Sequence, residues 1–355
     1  MTEESSTTSH LPVAMTTLQV TQTTGASSTE SSSDREFYFR CVVLVLGVVG
    51  TAANGLILYA LVASKQHKKH VLIVNQNAFD LFSSICLIVT YAVKISSVQL
   101  TGSTGYWVCM IILSEKLIWC GIIGSVINLA IITVERYVKV VHPKNSKKIL
   151  RRWVIYTAMA FAWVASIIYN MAIVFPTSSV TAAGECNTYA IWRNETSKVI
   201  LFVWKFLSFY VVILLICIVC YSRILIVIRR QARVMAAHDD GVPTAAQAQT
   251  NKMQSGVIKT MIFVSVFYAV SWLPTYIYLL LLNLNPSLII LETGYYVAEF
   301  ISWLYICTNP FIYAIKFDPV KKILLRMNPC KKMPDQDVAN TGTSSSTTRA
   351  APTRN

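Results

Sequence analysis

The chain has 355 residues, of which 54% are hydrophobic and 14% charged, where an ordinary soluble domain carries about 25% charged residues. That excludes a soluble globular fold, and the formal net charge of +14 points to a membrane surface or to nucleic acid. Nucleic acid is disfavoured, because no basic globular domain is there to carry it.

Residues 1–36 are rich in Ser and Thr and hold no apolar run that could serve as a secretory signal. They predict a disordered extracellular tail, and the first apolar segment must direct insertion. Seven mostly apolar segments of 20 or more residues follow, at roughly 38–63, 71–97, 108–140, 153–175, 198–228, 257–283 and 288–315. About 20 such residues cross a ~30 Å hydrocarbon core as an α-helix, and backbone groups in lipid must bond within the segment. The expected fold is an all-α integral membrane protein, a seven-transmembrane helix bundle over residues 37–316. A short amphipathic helix at 317–330 and a disordered cytoplasmic tail at 331–355 complete it.

The basic residues orient this bundle. Three follow the first segment (Lys65, Lys68, Lys69), six lie between Lys139 and Arg152, six between Arg223 and Lys259, and eight from Lys316 onward, 23 of the 31 in all. That side is cytoplasmic by the positive-inside rule, which puts the N-terminus outside and predicts a multi-pass membrane protein.

Ionisable groups inside a span are costly and default to functional hypotheses. Asp80 lies in the middle of the second span, and Glu135 and Arg136 close the third. Lys94, Glu115, Lys116, Lys205 and Glu299 fall in outer halves. The pattern predicts one polar cavity open to the outside and one switch facing the cytoplasm, with snorkelling to the interface as the alternative for Lys94 and Lys205.

Several short motifs fall in order along the spans. They are Asn54; Asn77-Ala78-Phe79-Asp80; Glu135-Arg136-Tyr137; Trp163; Tyr221; Trp272-Leu273-Pro274; and Asn309-Pro310-Phe311-Ile312-Tyr313. Over residues 38–330 the chain thereby resembles the rhodopsin-like (class A) G-protein-coupled receptors. The resemblance implies an extracellular ligand and a heterotrimeric G protein that meets Arg136 once the sixth helix moves. It also implies a receptor kinase and arrestin acting on the C-terminal tail. Pro274 and Pro310 each remove a backbone bond inside a helix and supply a pivot. Trp272 is placed to convert ligand contact into that movement, and Glu135 neutralises Arg136 while the cytoplasmic cleft is shut. Tyr137, Tyr221, Asn309 and Tyr313 complete the switch set.

Cys109 and Cys186 face an oxidising compartment and are able to pair, as the resemblance implies they do. Asn194-Glu195-Thr196 is an N-glycosylation acceptor at Asn194. Cys330, beside Lys331 and Lys332, is either a palmitoylated anchor or a free thiol. The hydroxyl cluster from Thr341 to Thr348 is either a set of kinase sites or a plain solvated end. Asp80, Ser125 and Asn309 match part of the family's sodium pocket, which implies an allosteric sodium ion and no other cofactor. The alternative is an Asp80 bonded through water to Asn54 and Asn309.

Departures from the family narrow the ligand. Eighteen residues before Arg136, where monoamine receptors resemble one another in carrying an Asp, stands Ile118. Cys109 and Arg136 are 27 positions apart, two more than is usual, so a count from Cys109 gives Lys116 there instead. Neither residue offers a carboxylate for an ammonium group. Trp303 occupies the position of the retinal-binding Lys of opsins. The remaining cavity set is Lys94, Glu115, Trp119, Lys205, Trp272, Thr275, Tyr276, Glu299 and Trp303, with charges of both signs and several aromatics. That suits a peptide best and a small acidic or zwitterionic molecule next. Mutual neutralisation of Lys205 and Glu299 is the bland alternative.

Two more departures concern switching. Ile213 replaces the Pro that commonly precedes Tyr221 by eight residues, which puts the fifth-span bulge in doubt. Gln254 replaces the acid that tethers the Arg in many relatives, which predicts raised basal activity. Rival classes fare poorly. The five His residues, His10, His67, His70, His142 and His238, all lie outside the spans, which leaves a membrane metal hydrolase without ligands. A transporter or channel would be expected to carry internal repeats, and none is visible.

Overall fold

Apolar segments that cannot leave backbone groups unbonded in lipid become long helices. A computed structural model of the chain describes residues 27–174, 178–181, 183–187, 195–237, 245–284, 292–316 and 318–327. Its spans are Ser27–Ala63, Val71–Ile95, Gly102–Val141, Arg152–Val174, Glu195–Ala237, Ala245–Leu284 and Glu292–Lys316. Among the described residues, the first six are apolar enough to cross a membrane on hydropathy alone. Glu292–Lys316, helical throughout, is the seventh. Asp318–Met327 is the short amphipathic eighth helix.

The third span is the axis of the bundle. Of its most apolar stretch 72% is buried inside the protein, against 17% for the fourth span. Small residues let the second span approach it closely. A Cβ added at Gly121 would lie 2.0 Å from Ser83 Oγ, and one at Gly124 would lie 2.1 Å from the Phe79 ring. The first span packs on the second and seventh, and the sixth packs on the seventh.

Four features differ from the sequence expectation. The first helix starts at Ser27 rather than near residue 37, so the expected tail shortens by ten residues. Acidic residues suit that helix beginning, and Glu36 pairs with Arg40 at 2.5 Å one turn on. The two extra residues of the third span are taken up by a π-helical stretch, Val108–Leu113, and a break at Glu115, whose φ is 59°. The fifth span keeps a bulge without proline, because Leu207–Val211 is π-helical. The loop after the third span contains a helix, Pro143–Ile149, begun by a Pro at its first position.

One end of the bundle carries a small antiparallel hairpin that pairs Ser179 with Asn187 and Val180 with Cys186. The other end carries Glu135 and Arg136. The hairpin is tied down by the Cys109–Cys186 disulfide, with Cα atoms 5.3 Å apart. Lys116 Nζ donating to Ser178 Oγ at 2.6 Å ties it again. Asn194, Cys330, residues 1–26 and the tail after residue 327 lie outside the described residues, as does the side chain of Gln254.

Candidate ligand cavity and switch

At the hairpin end, one cavity is lined by Trp119, Ile122, Ile123, Val126, Lys205, Phe209, Tyr268, Trp272 and Tyr276. Four of these, Trp119, Lys205, Trp272 and Tyr276, belong to the set picked from the sequence. The others follow from helical periodicity, since residues four apart share a face. Lys205 carries Phe209 with it, and Trp272 carries Tyr268. Side chains nearly fill the space, leaving a free volume of about 10 Å³.

The charged groups do not pair as Lys205 with Glu299. Lys205 Nζ instead stands over the Trp119 ring, 4.8 Å from its centroid, and among the described residues no carboxylate lies within ion-pair distance of it. Lys94 pairs with Glu115, Tyr91 OH donates to the same carboxylate at 3.3 Å, and Lys94 also lies over the Tyr91 ring. Glu299 faces Glu115 and Lys94, beside Tyr295 and Trp303. The cavity therefore has a basic corner at Lys205, and a separate cluster of two carboxylates to one ammonium lies outside its lining. Trp119 stands between them, 5.5 Å from Trp272 and 6.1 Å from Trp303 by ring centroids. Thr275 turns away toward the seventh span, bonding Ala298 O at 2.8 Å and Ser302 Oγ at 2.7 Å.

The register question at the top of the third span resolves into two directions. Lys116 bonds the hairpin strand, while Ile118 is fully buried in the helix core. The fifth and sixth spans brace one another at the bulge. Tyr210 OH donates to Ala269 O at 2.8 Å, and Tyr268 OH donates to Phe209 O. A widened turn leaves carbonyls without their usual partners, and Tyr268 supplies one, which accounts for a bulge at a sequence with Ile213 in place of Pro.

Below the cavity runs a buried polar chain. Trp163 Nε1 donates to Asn75 Oδ1 at 3.0 Å, Asn75 Nδ2 to Asn128 Oδ1 at 2.9 Å, and Asn128 Nδ2 to Gln76 Oε1 at 2.8 Å. Gln76 Nε2 then donates to Ser125 Oγ, and Ser125 Oγ to Asp80 Oδ1 at 2.8 Å. Asn309 Nδ2 reaches the other Asp80 oxygen at 2.8 Å. Tyr305 OH lies 3.3 Å from Ser125 Oγ and adds a further polar contact beside Asp80. Asn54 does not touch Asp80; its amide donates to Gly50 O and Ile306 O and staples the first span to the seventh. Sequence reading missed Asn75 and Gln76 in the second span and Asn128 in the third, although amides inside spans are polar groups as telling as the charges.

At the far end, Glu135 Oε2 lies 2.9 Å from Arg136 Nε, an ion pair without hydrogen-bond alignment. Lys139, absent from the sequence-derived set, pairs with the other Glu135 oxygen. Tyr221 OH contacts Thr133 Oγ1 at 3.1 Å, and Tyr137 OH lies 3.4 Å from His142 Nε2. Tyr313 is buried at 1% exposure. His70, buried at this end, has its imidazole pushed down to about 4, first by burial and then by Arg136, Lys139 and Lys69. Pro274 and Pro310 lie inside the sixth and seventh helices. Among the described residues, no three His, Cys, Asp or Glu side chains gather as a metal site.

A bundle of seven spans with a disulfide-tethered hairpin over a cavity and an Arg-Glu pair at its opposite end is the architecture of a membrane receptor. The chain belongs to the rhodopsin family of seven-transmembrane receptors, whose family description, 7 transmembrane receptor (rhodopsin family), matches residues 53–313. It is similar to somatostatin receptor type 4 of Rattus norvegicus, 23% identical over 81% of this chain and 72% of that one. Galanin receptor type 1 of Homo sapiens is 22% identical over 88% and 87%. Trace amine-associated receptor 7d of Mus musculus is 24% identical over 57% of each chain. Squid rhodopsin has the same fold at a TM-score of 0.68, with 17% identity over 85% of this chain and 89% of that one.

Proposed function

We propose that this chain is a receptor that takes a peptide from outside the cell at the hairpin-end cavity and activates a heterotrimeric G protein at the Arg136 end. The observation that carries this reading is an unbroken contact path from cavity to switch. Trp119 meets Trp272, and Trp272 meets Tyr305 at 6.5 Å between ring centroids. Tyr305 meets Ser125, Ser125 bonds Asp80, and Asp80 bonds Asn309, one residue before the Pro310 pivot. A ligand that binds one arrangement of this path better than another shifts the balance of states, and a G protein at Arg136 shifts it reciprocally.

Several finer points belong to the same reading. Receptors named for somatostatin and galanin, both peptides, stand among the relatives, and a cavity with charges of both signs suits such ligands. A small acidic or zwitterionic ligand is the alternative. With Ile118 buried and Lys116 engaged by the hairpin, the third span offers no carboxylate of the amine-receptor kind, and Trp303 leaves retinal without its Lys. The residues around Asp80 fit a sodium ion. The carboxylate is 1% exposed, no cationic side chain pairs with it among the described residues, and Asn309 Oδ1 nearby is buried without a partner. Asp80, Ser125 and Asn309 would hold the ion, which would supply positive charge to a buried anion. The N-terminus and Asn194 lie outside, and the tail, with Cys330 and its hydroxyl cluster, faces the cytoplasm, where a kinase and arrestin reach it.

The test is basal nucleotide exchange on a panel of G proteins by the native chain and by Arg136→Ala at matched surface expression. Exchange above the vector background that disappears in Arg136→Ala is expected. Equal exchange by both chains, or an ion current in place of exchange, would mean a different function.

A further inference from the structure

We infer that the deep corner of the cavity is an anion site, in which a carboxylate or another oxyanion of the ligand is held by Lys205 Nζ and Trp272 Nε1–H. This rests on the reading of the cavity as the ligand site and names the chemistry that the site recognises.

The corner is rich in donors. Tyr210 and Tyr268 have given their hydroxyl hydrogens to the carbonyls of Ala269 and Phe209. Ile122, Ile123, Val126 and Phe209 bring no polar side-chain atoms. Trp272 Nε1 is buried without an acceptor, in a side chain 3% exposed. Lys205, lining the same cavity, has the Trp119 face in place of a counter-ion. An indole N–H only donates and an ammonium only donates, so this corner holds one buried unmet donor, Trp272 Nε1–H, beside the positive charge of a half-buried Lys205.

Groups of that kind are satisfied by an acceptor that carries negative charge. A buried polar group without a partner is costly, and a charge removed from water is more so. The contact with Trp119 offsets part of this cost, since a cation over an indole face is attracted by the ring. A hydrogen-bonded ion pair shielded from water is stronger. The Lys205 stem has four flexible carbons, so an entering anion draws the ammonium off the Trp119 face and makes room for itself in a corner that is nearly full. The sign of the neighbouring cluster, reached past Trp119 and Trp303, agrees. Glu115 and Glu299 outnumber Lys94 there, which repels an acid and admits a base. The ligand therefore lies with its acidic group beside Lys205 and any basic group toward Glu299. A peptide C-terminus and a small organic acid share this chemistry.

The test uses the purified full chain in lipid nanodiscs and two matched pairs of probes, N-acetylphenylalanine with its C-terminal amide, and 4-phenylbutyrate with 4-phenylbutyramide. Binding is read by tryptophan fluorescence and by the shift in unfolding midpoint at millimolar probe. The acids should bind the native chain about tenfold more tightly than their amides, as one charge-assisted contact implies. That ratio should fall to near one in Lys205→Gln, persist in Lys205→Arg, and drop a few-fold in Trp272→Phe, which keeps the ring surface and removes only the donor. A preference confined to the amino-acid pair points to a peptide C-terminus, and one shared by both pairs points to the carboxylate alone. Amides that match the acids, a ratio that survives in Lys205→Gln, or no binding by any of the four probes overturns the site. Ligand-free exchange and its loss in Arg136→Ala are read on chains that keep Lys205, without any probe, so failure of the anion site and failure of the receptor reading are read separately.

Discussion

Two regions of the bundle differ in how far their buried polar groups are connected, although around Asp80 too Asn54 Oδ1 and Asn309 Oδ1 stay without a partner. In the half around Asp80, a chain of donors runs from Trp163 through Asn75, Asn128, Gln76 and Ser125 to the Asp80 carboxylate, each donating in the same direction. Bonds so aligned polarise one another and end on the group best able to accept. In the half under the hairpin, Trp272 is left with its donor unmet beside Lys205, and two carboxylates face one lysine. A satisfied buried network rigidifies a core, whereas an unsatisfied one costs stability. The contrast teaches where the fold is held and where it waits for something outside itself.

If that division is right, the same kind of substitution has different effects in the two halves. Asn128→Leu should be the most damaging change. Asn128 is fully buried, donates to Leu72 O at 3.0 Å and to Gln76, and accepts from Asn75. Its loss strands Gln76 Oε1 and Asn75 Nδ2, at about 2 kcal/mol or more given the usual cost of each orphan, while Leu72 O keeps its helical partner. A drop in the unfolding midpoint in detergent, with less protein at the cell surface, is the expected readout. Lys205→Met should spare the fold in the absence of ligand. Replacing a half-buried charge that has no counter-ion among the described residues with an apolar chain of similar length should leave stability unchanged or raise it by up to about 1 kcal/mol, while the acid-over-amide preference disappears. A fall in midpoint as large as that of Asn128→Leu would erase the distinction between the halves.

Much of this fold is legible in the sequence, and the places where it is not share a physical cause. Span number, the conserved-type charges at Asp80 and Glu135-Arg136, and the pairing of Cys109 with Cys186 follow from apolar length, from the cost of charge in lipid and from the family resemblance. Helix irregularities do not. The π-helical stretches at Val108–Leu113 and Leu207–Val211 are written in contacts with other helices, such as Tyr268 with Phe209 O, and a scan for proline is blind to those. Pairing among the cavity charges is equally hidden. Lys94, Glu115, Lys205 and Glu299 were all marked, but which carboxylate meets which ammonium depends on the break at Glu115 and on where Trp119 stands. Thr275 shows the limit of counting turns, because it sits one turn from the cavity and spends its hydroxyl on the seventh span.

A smaller effect is expected at position 254, where the resemblance implies a tether for Arg136. An acid at position 254 would add an anionic tether to a guanidinium that now has Glu135 alone as a carboxylate partner among the described residues. Gln254→Glu should lower ligand-free exchange by a few-fold, since a tether worth about 1 kcal/mol shifts a two-state balance by that amount. Basal exchange in the native chain no higher than in Gln254→Glu would count against the weak-tether reading, and would locate the restraint on the sixth helix in the Tyr210 and Tyr268 braces instead.

A pH-dependent effect sharpens the comparison further, because His70 reports on the Arg136 end. Burial and the neighbouring Arg136, Lys139 and Lys69 hold its imidazole at about 4, below the ordinary value near 6.5. Above that ordinary value the ring is neutral in both the folded and the unfolded chain, so the full stability is present. As pH falls from about 6.5 toward 4 the unfolded chain binds a proton that the folded one refuses, and stability is lost across that window. Burial is incomplete and water screens part of the effect, so the loss is of order 2 kcal/mol or less. His70→Gln should flatten the fall of the unfolding midpoint between pH 6.5 and 4, leaving the slope that carboxylates elsewhere impose. An unchanged slope in His70→Gln would mean that the basic cluster around Arg136 opens to water in acid before it presses on the imidazole.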